Sequence, residues 1–100
     1  MRVLIAIAAL TGGFLTQPAL AQAEDDGRLL ASGCFQCHGT AGVNGRFGTL
    51  AGVGKQDLLN KLADMRTKPA RANIMYPHAR GYTSYQLALI ADYFSRQPKP

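Results

Sequence analysis

Only two cysteines occur in the 100 residues, and both lie in one five-residue run, so the chain has no spare pair for a structural disulfide. No run of β-branched residues after position 24 reads as a buried strand, which argues against an α/β scaffold. Beyond the first twenty-odd residues nothing is apolar enough to cross a bilayer. There is no internal repeat, no low-complexity tract, and no linker apart from the short tail Gln97-Pro98-Lys99-Pro100, so a single domain is expected. Acidic residues are also few, 6 against 11 Lys and Arg, for a formal net charge of +5.

What the chain does have begins with an export signal. Arg2 supplies a positive start, and Val3 to Leu10 form an apolar stretch continued loosely through Phe14 and Leu15. Pro18-Ala19-Leu20-Ala21-Gln22-Ala23 then ends it in small residues. The pattern predicts a signal peptide over 1–23, cleaved after Ala21 or after Ala23, and a mature domain over 24–100. Thr11, Gly12, Gly13 and Thr16 interrupt the apolar run, which argues against an uncleaved membrane anchor and against stable membrane insertion after cleavage. A periplasmic location follows.

The run Cys34-Phe35-Gln36-Cys37-His38 carries the chemistry. Two residues between the thiols let both sulfurs reach neighbouring vinyl groups on one edge of a haem, and the imidazole that follows turns in under the iron. The other ring N–H of His38 then needs an acceptor, and a backbone carbonyl between Phe47 and Leu50 is the expected one. The same residues also allow a small disulfide loop, a thioredoxin-type centre or part of a zinc site. The thioredoxin reading lacks its βαβ context, and a zinc site needs a fourth ligand, for which His78 is the spare histidine. Covalent attachment of one haem c through Cys34 and Cys37, with His38 as an axial ligand, is the reading the exported context favours. A domain of this size draws only about 3–5 kcal/mol from its own core, and an enclosed macrocycle would add to it.

Around the motif the pattern is helical. Glu24, Asp25 and Asp26 suit a helix start, and Leu29, Leu30 and Ala31 lead from there into Cys34. Six glycines from Gly39 to Gly54 read as a loop wrapping something. Lys55 to Met65 regains helical spacing through Leu58, Leu59, Leu62 and Met65, closed by Lys68-Pro69. Thr83 and Gln86 form a capping-box pattern, and Leu87, Ile90, Ala91 and Phe94 make the stripe of a third helix, expected to cross the first near Leu30. The segment from Ala72 to Thr83 is read as a loop.

With this motif and these three helices the chain resembles class I cytochromes c, from about Glu24 to Arg96. The resemblance implies an all-α domain with three main helices and long loops wrapped around one covalently bound haem. It also implies that the sixth iron ligand is a methionine from the loop before the last helix, where Met75 stands. Met65 reads better as core filling, Met1 belongs to the leader, and His78 is the other candidate for the sixth position. Ile74-Met75, Ala79-Arg80-Gly81-Tyr82-Thr83 and Ile90-Ala91-Asp92-Tyr93-Phe94 further resemble the cytochrome subunit of flavocytochrome c sulfide dehydrogenase. That family implies an electron-transfer protein, not an enzyme by itself, whose partner is a flavoprotein subunit or another periplasmic redox protein. The alternatives are a diffusible carrier to a terminal oxidase or another sulfur-oxidation enzyme, and an open-site haem gas sensor. Where many class I cytochromes have Pro-x-Leu-x-Gly, this chain has Gly48-Thr49-Leu50-Ala51-Gly52, with Gly48 in place of proline.

Removing Arg2 with the leader leaves ten Lys and Arg against six acids. Lys55, Lys61, Arg66, Lys68, Arg71 and Arg80 fall between the motif and the last helix, where they either steer acidic redox partners or form a solvated surface. No nucleic-acid-binding motif is present, so nucleic acid is not an expected partner. Tyr76, Tyr82, Tyr85 and Tyr93 cluster late, as cover for the haem and a join between the terminal helices.

Overall fold

The computed structural model describes residues 19–100, with side chains except at 19–21 and 24. The expected leader lies outside the described residues up to position 18.

The first helix, α1, spans Ala19–Ala31 and continues through a 3-10 turn, Ser32–Cys34, into the short α2, Phe35–His38. It starts five residues before the acidic run at Glu24 that the sequence suggests. Ala19 to Ala23 are alanine, leucine and glutamine, all strong helix formers with no proline or glycine among them, and nothing local stops the helix there. The Ser32 hydroxyl donates to the Leu29 carbonyl at 2.6 Å as the helix tightens into the 3-10 turn. A second 3-10 turn, Thr40–Gly42, opens the glycine-rich loop.

Helix α3 spans Lys55–Met65, as the spacing predicts. Its Leu58 is buried, Leu59 and Leu62 pack partly against the core, and Met65 is half-buried. Helix α5, Ser84–Ser95, carries the predicted cap in full. Thr83 Oγ1 accepts the Gln86 N–H at 3.1 Å, and Gln86 Oε1 accepts the Thr83 N–H at 2.9 Å. Leu87, Ile90, Ala91 and Phe94 are all buried along its inner face.

The segment after α3 corrects the sequence reading. Within the expected loop lies a helix, α4, over Met75–Arg80. Pro77 hides it, but in the first turn of a helix the proline nitrogen has no helical acceptor to lose, so the residue is tolerated. The Met75 N–H is satisfied by Asn73 Oδ1 at 2.9 Å.

Helix α5 packs against both α1 and α3, and α4 against α3. The core is Ala31, Cys34, Leu58, Leu87, Ile90, Ala91 and Phe94, with Leu30 and Phe35 partly buried against it. Burial of each large side chain among these contributes about 1.5–3 kcal/mol. Among the described residues there is no strand, and no helix is long and apolar enough to cross a membrane. The described residues form an all-α fold, as the resemblance to class I cytochromes c implies.

Candidate functional site

The two thiols and the imidazole occupy consecutive turns that leave the end of α1. This placement follows from packing. Ala31 and Cys34 face the core, so the helical path that buries them carries Cys37 round to solvent and brings His38 back inward. Cys34 is buried and Cys37 exposed, neither in a disulfide. Phe35, between the cysteines, is wedged between Tyr93 and Phe94 of α5, with ring centroids 6.1 and 6.2 Å away.

His38 is the one buried polar side chain among the described residues, 9% exposed. Its Nδ1 lies 3.0 Å from the carbonyl oxygen of Gly48, inside the stretch where the sequence places an acceptor. A carbonyl oxygen can only accept, so Nδ1 carries a proton, and in the neutral imidazole the lone pair is then on Nε2. That hydrogen bond fixes the orientation of the ring.

The loop that delivers this carbonyl folds back on the motif. The Phe47 N–H donates to the Cys37 carbonyl at 3.2 Å, and Gly45 lies so close to His38 that a Cβ there would come within 2.0 Å of the His38 carbonyl carbon. Gly48 has φ +107°, whereas a Cβ on it would meet nothing within 4 Å. Backbone conformation, not space, therefore requires glycine at this position. Proline, with φ fixed near −65°, could not hold the same carbonyl in the same way.

Burial raises the Cys34 thiol pKa, and the neighbouring Cys37 raises it further. Tyr82 is shifted upward too, by burial first and then by the charge of Cys34. Its hydroxyl oxygen sits where a Cβ on Gly33 would come within 2.9 Å, placing the ring edge beside the first cysteine of the motif. The sequence marks Tyr82 only as one of four late tyrosines. Of the others, Tyr93 packs at a tilt against Phe35, Tyr76 is half-buried and Tyr85 is exposed.

Met75 is half-buried at the first position of α4. His78, the competing candidate, is exposed on the same helix with its ring edge-on to Tyr82 at 5.7 Å. Several of the basic residues have internal partners. Lys55 pairs with Asp92 at 3.6 Å, and Lys68 with Asp64 at 3.8 Å. Arg66 donates to Ser84 Oγ at 3.0 Å, and Arg80 donates to the carbonyls of Arg66 and Lys68. The Arg80 contacts were not legible as structure in a run of spaced cations.

No family model matches the chain, and no solved structure matches it. A curated protein named cytochrome subunit of sulfide dehydrogenase, from Chlorobaculum tepidum, is 31% identical over 91 residues. The alignment takes in 89% of this chain and 83% of that protein.

Proposed function

The chain belongs to the family of the cytochrome subunit of sulfide dehydrogenase, and from that premise we propose that it is a periplasmic electron-transfer protein carrying one haem c. In this reading each cysteine S–H adds across a vinyl C=C of the haem, sulfur to one carbon and hydrogen to the other. Cys34 Sγ, which is buried, and Cys37 Sγ, which is exposed, would hold the haem covalently. His38 Nε2 and Met75 Sδ would hold the iron. When bound, the haem would supply a one-electron Fe(II)/Fe(III) couple, and thioether ligation together with imidazole would favour the ferrous state.

The observation that supports this reading most is the hydrogen bond from His38 Nδ1 to the Gly48 carbonyl. It orients a buried imidazole directly after a Cys-x-x-Cys pair, as a metal-ligating histidine requires. The donor set fits haem c: two free thiols separated by two residues, one soft thioether and one imidazole.

The chain does not act alone in this account. Its partner is a flavoprotein that oxidises sulfide, and the haem domain takes the electrons one at a time and passes them on. Residues 1–23 are the leader that exports it. Cleavage after Ala21 or Ala23 would leave Glu24, Asp25 and Asp26 near the start of the shortened α1, where the helix dipole favours negative charge.

Mass spectrometry of protein purified from the periplasm tests the assignment. The expected mass is that of the processed chain plus one haem, with a pyridine haemochrome spectrum typical of two thioether links. Unmodified thiols would overturn it. Copurification of a flavoprotein from the native host tests the partner, and a haem protein that never associates with flavin would overturn that part alone.

A further inference from the structure

Helix α4 is poorly anchored by burial. It has six residues, too few to be stable by themselves. Ala79 is its one buried side chain, and Ile74, immediately before it, is 83% exposed. What ties it down is Arg80 at its end. Arg80 Nε donates to the Arg66 carbonyl at 3.1 Å and Nη2 donates to the Lys68 carbonyl. Both acceptors lie just past Met65, where a helix end leaves carbonyls without helical partners. A planar guanidinium can reach two such acceptors at once, and its charge complements the negative end of α3. Arg66 itself donates to Ser84 Oγ at 3.0 Å, so the same peptide is linked to the start of α5.

We propose that Arg80 is the positioning residue for Met75: by clamping α4 to the C-terminal end of α3 it fixes where the Met75 thioether is presented. The inference rests on the reading of Met75 as the sixth ligand. Met75 and Arg80 are the two ends of one short helix. A guanidinium held at one end therefore sets the position of the thioether at the other.

The test uses the haem-loaded full chain and the variants M75A, R80A, R80K and T83A. The readouts are the far-red absorption of the ferric protein, carbon monoxide uptake by the ferrous protein, and helical circular dichroism. M75A is expected to lose the far-red band, which tests the ligand assignment. R80A is expected to lose the band and admit carbon monoxide while keeping its helical signal and haemochrome yield. R80K, with one compact ammonium in place of the fork, should retain part of the band. T83A, which weakens the cap of α5 but removes neither Arg80 hydrogen bond, should keep the whole band.

A wild-type band in R80A, or an equal loss of band in T83A, overturns the inference. Should R80A fail to accumulate, an unchanged band in R80K overturns it and a weakened one supports it. Should M75A keep its band, the ligand assignment falls. Amide exchange at Met75, Tyr76, His78 and Ala79 then decides the clamp, with faster exchange in R80K expected and unchanged exchange overturning it.

Discussion

Phe94 meets Phe35 edge to face at a centroid distance of 6.2 Å, so the last helix packs directly on the residue that separates the two cysteines. Tyr93 closes the group, 6.1 Å from Phe35 and 5.3 Å from Phe94. Phe94 also has its backbone carbonyl bonded to the Gly52 N–H at 2.9 Å, which fastens the loop below the motif to the same point. The C-terminal helix therefore shapes the motif although it contributes no reactive atom to it.

Truncating this contact should be costly. Phe94 is 1% exposed, and Phe94→Ala is expected to remove about 3–5 kcal/mol of stability by cavity formation, of which edge-to-face contacts account for about 0.5–1.5 kcal/mol. Denaturant titration of the haem-loaded protein measures it. A loss below about 1 kcal/mol would show that the core does not converge on Phe94.

Gly48 gives a sharper test, because two substitutions separate conformation from contact. Gly48→Ala introduces a side chain into open space at φ +107° and should cost on the order of 1–3 kcal/mol from backbone strain alone. Gly48→Pro restores the residue common in related loops but forces φ to about −65°, so the carbonyl must swing away from His38. Loss of the protected His38 Nδ1–H resonance in the proton NMR spectrum is the expected signature. A proline variant that keeps that resonance would mean the carbonyl can be delivered by either backbone conformation.

The cap of α5 is local and should respond locally. Thr83→Ala removes the acceptor for the Gln86 N–H and is expected to cost about 0.5–2 kcal/mol. For a domain this small, each kcal/mol lowers Tm by roughly 4–8 °C. Thr83→Ser should recover most of the loss in a thermal melt, and no difference between alanine and serine would argue that the hydroxyl bond contributes nothing.

What was legible in the sequence was what repeats or sits at fixed spacing. Leu87, Ile90, Ala91 and Phe94 share one helix face by periodicity, Thr83 and Gln86 by a three-residue interval, and the cysteines and His38 by contiguity. Even the His38 acceptor could be narrowed to four residues, because a buried imidazole N–H needs a partner and the following loop is the nearest source. Helix α4 was not legible, since Pro77 reads as a breaker unless its place in the first turn is known. The Arg80 clamp was hidden for a different reason. Its acceptors are backbone carbonyls of Arg66 and Lys68, and a carbonyl leaves no mark in the residue type. The Tyr82 hydroxyl beside Cys34 joins positions far apart in the chain, which no spacing rule reaches.

The raised pKa of the Cys34 thiol makes a pH experiment specific to the state of the sulfur. Burial is the main cause and Cys37 the second, so the folded chain with free thiols holds its proton at pH values where the unfolded chain has begun to release it. The folded state then binds more protons than the unfolded one, and stability falls as pH rises. The contribution is present in full below the ordinary thiol range, near about 8.5, and is lost as pH climbs through the raised value. Tyr82 acts in the same direction at higher pH, being raised by burial and by Cys34. In the chain made without haem attachment, helical circular dichroism should therefore decline on the alkaline side, and Cys34→Ser, which has no thiol at that position, should decline less. With both sulfurs in thioether bonds neither titrates, and that part of the decline should disappear. An identical alkaline profile for the free-thiol chain, its serine variant and the haem-bound protein would show that the buried sulfur has no part in it.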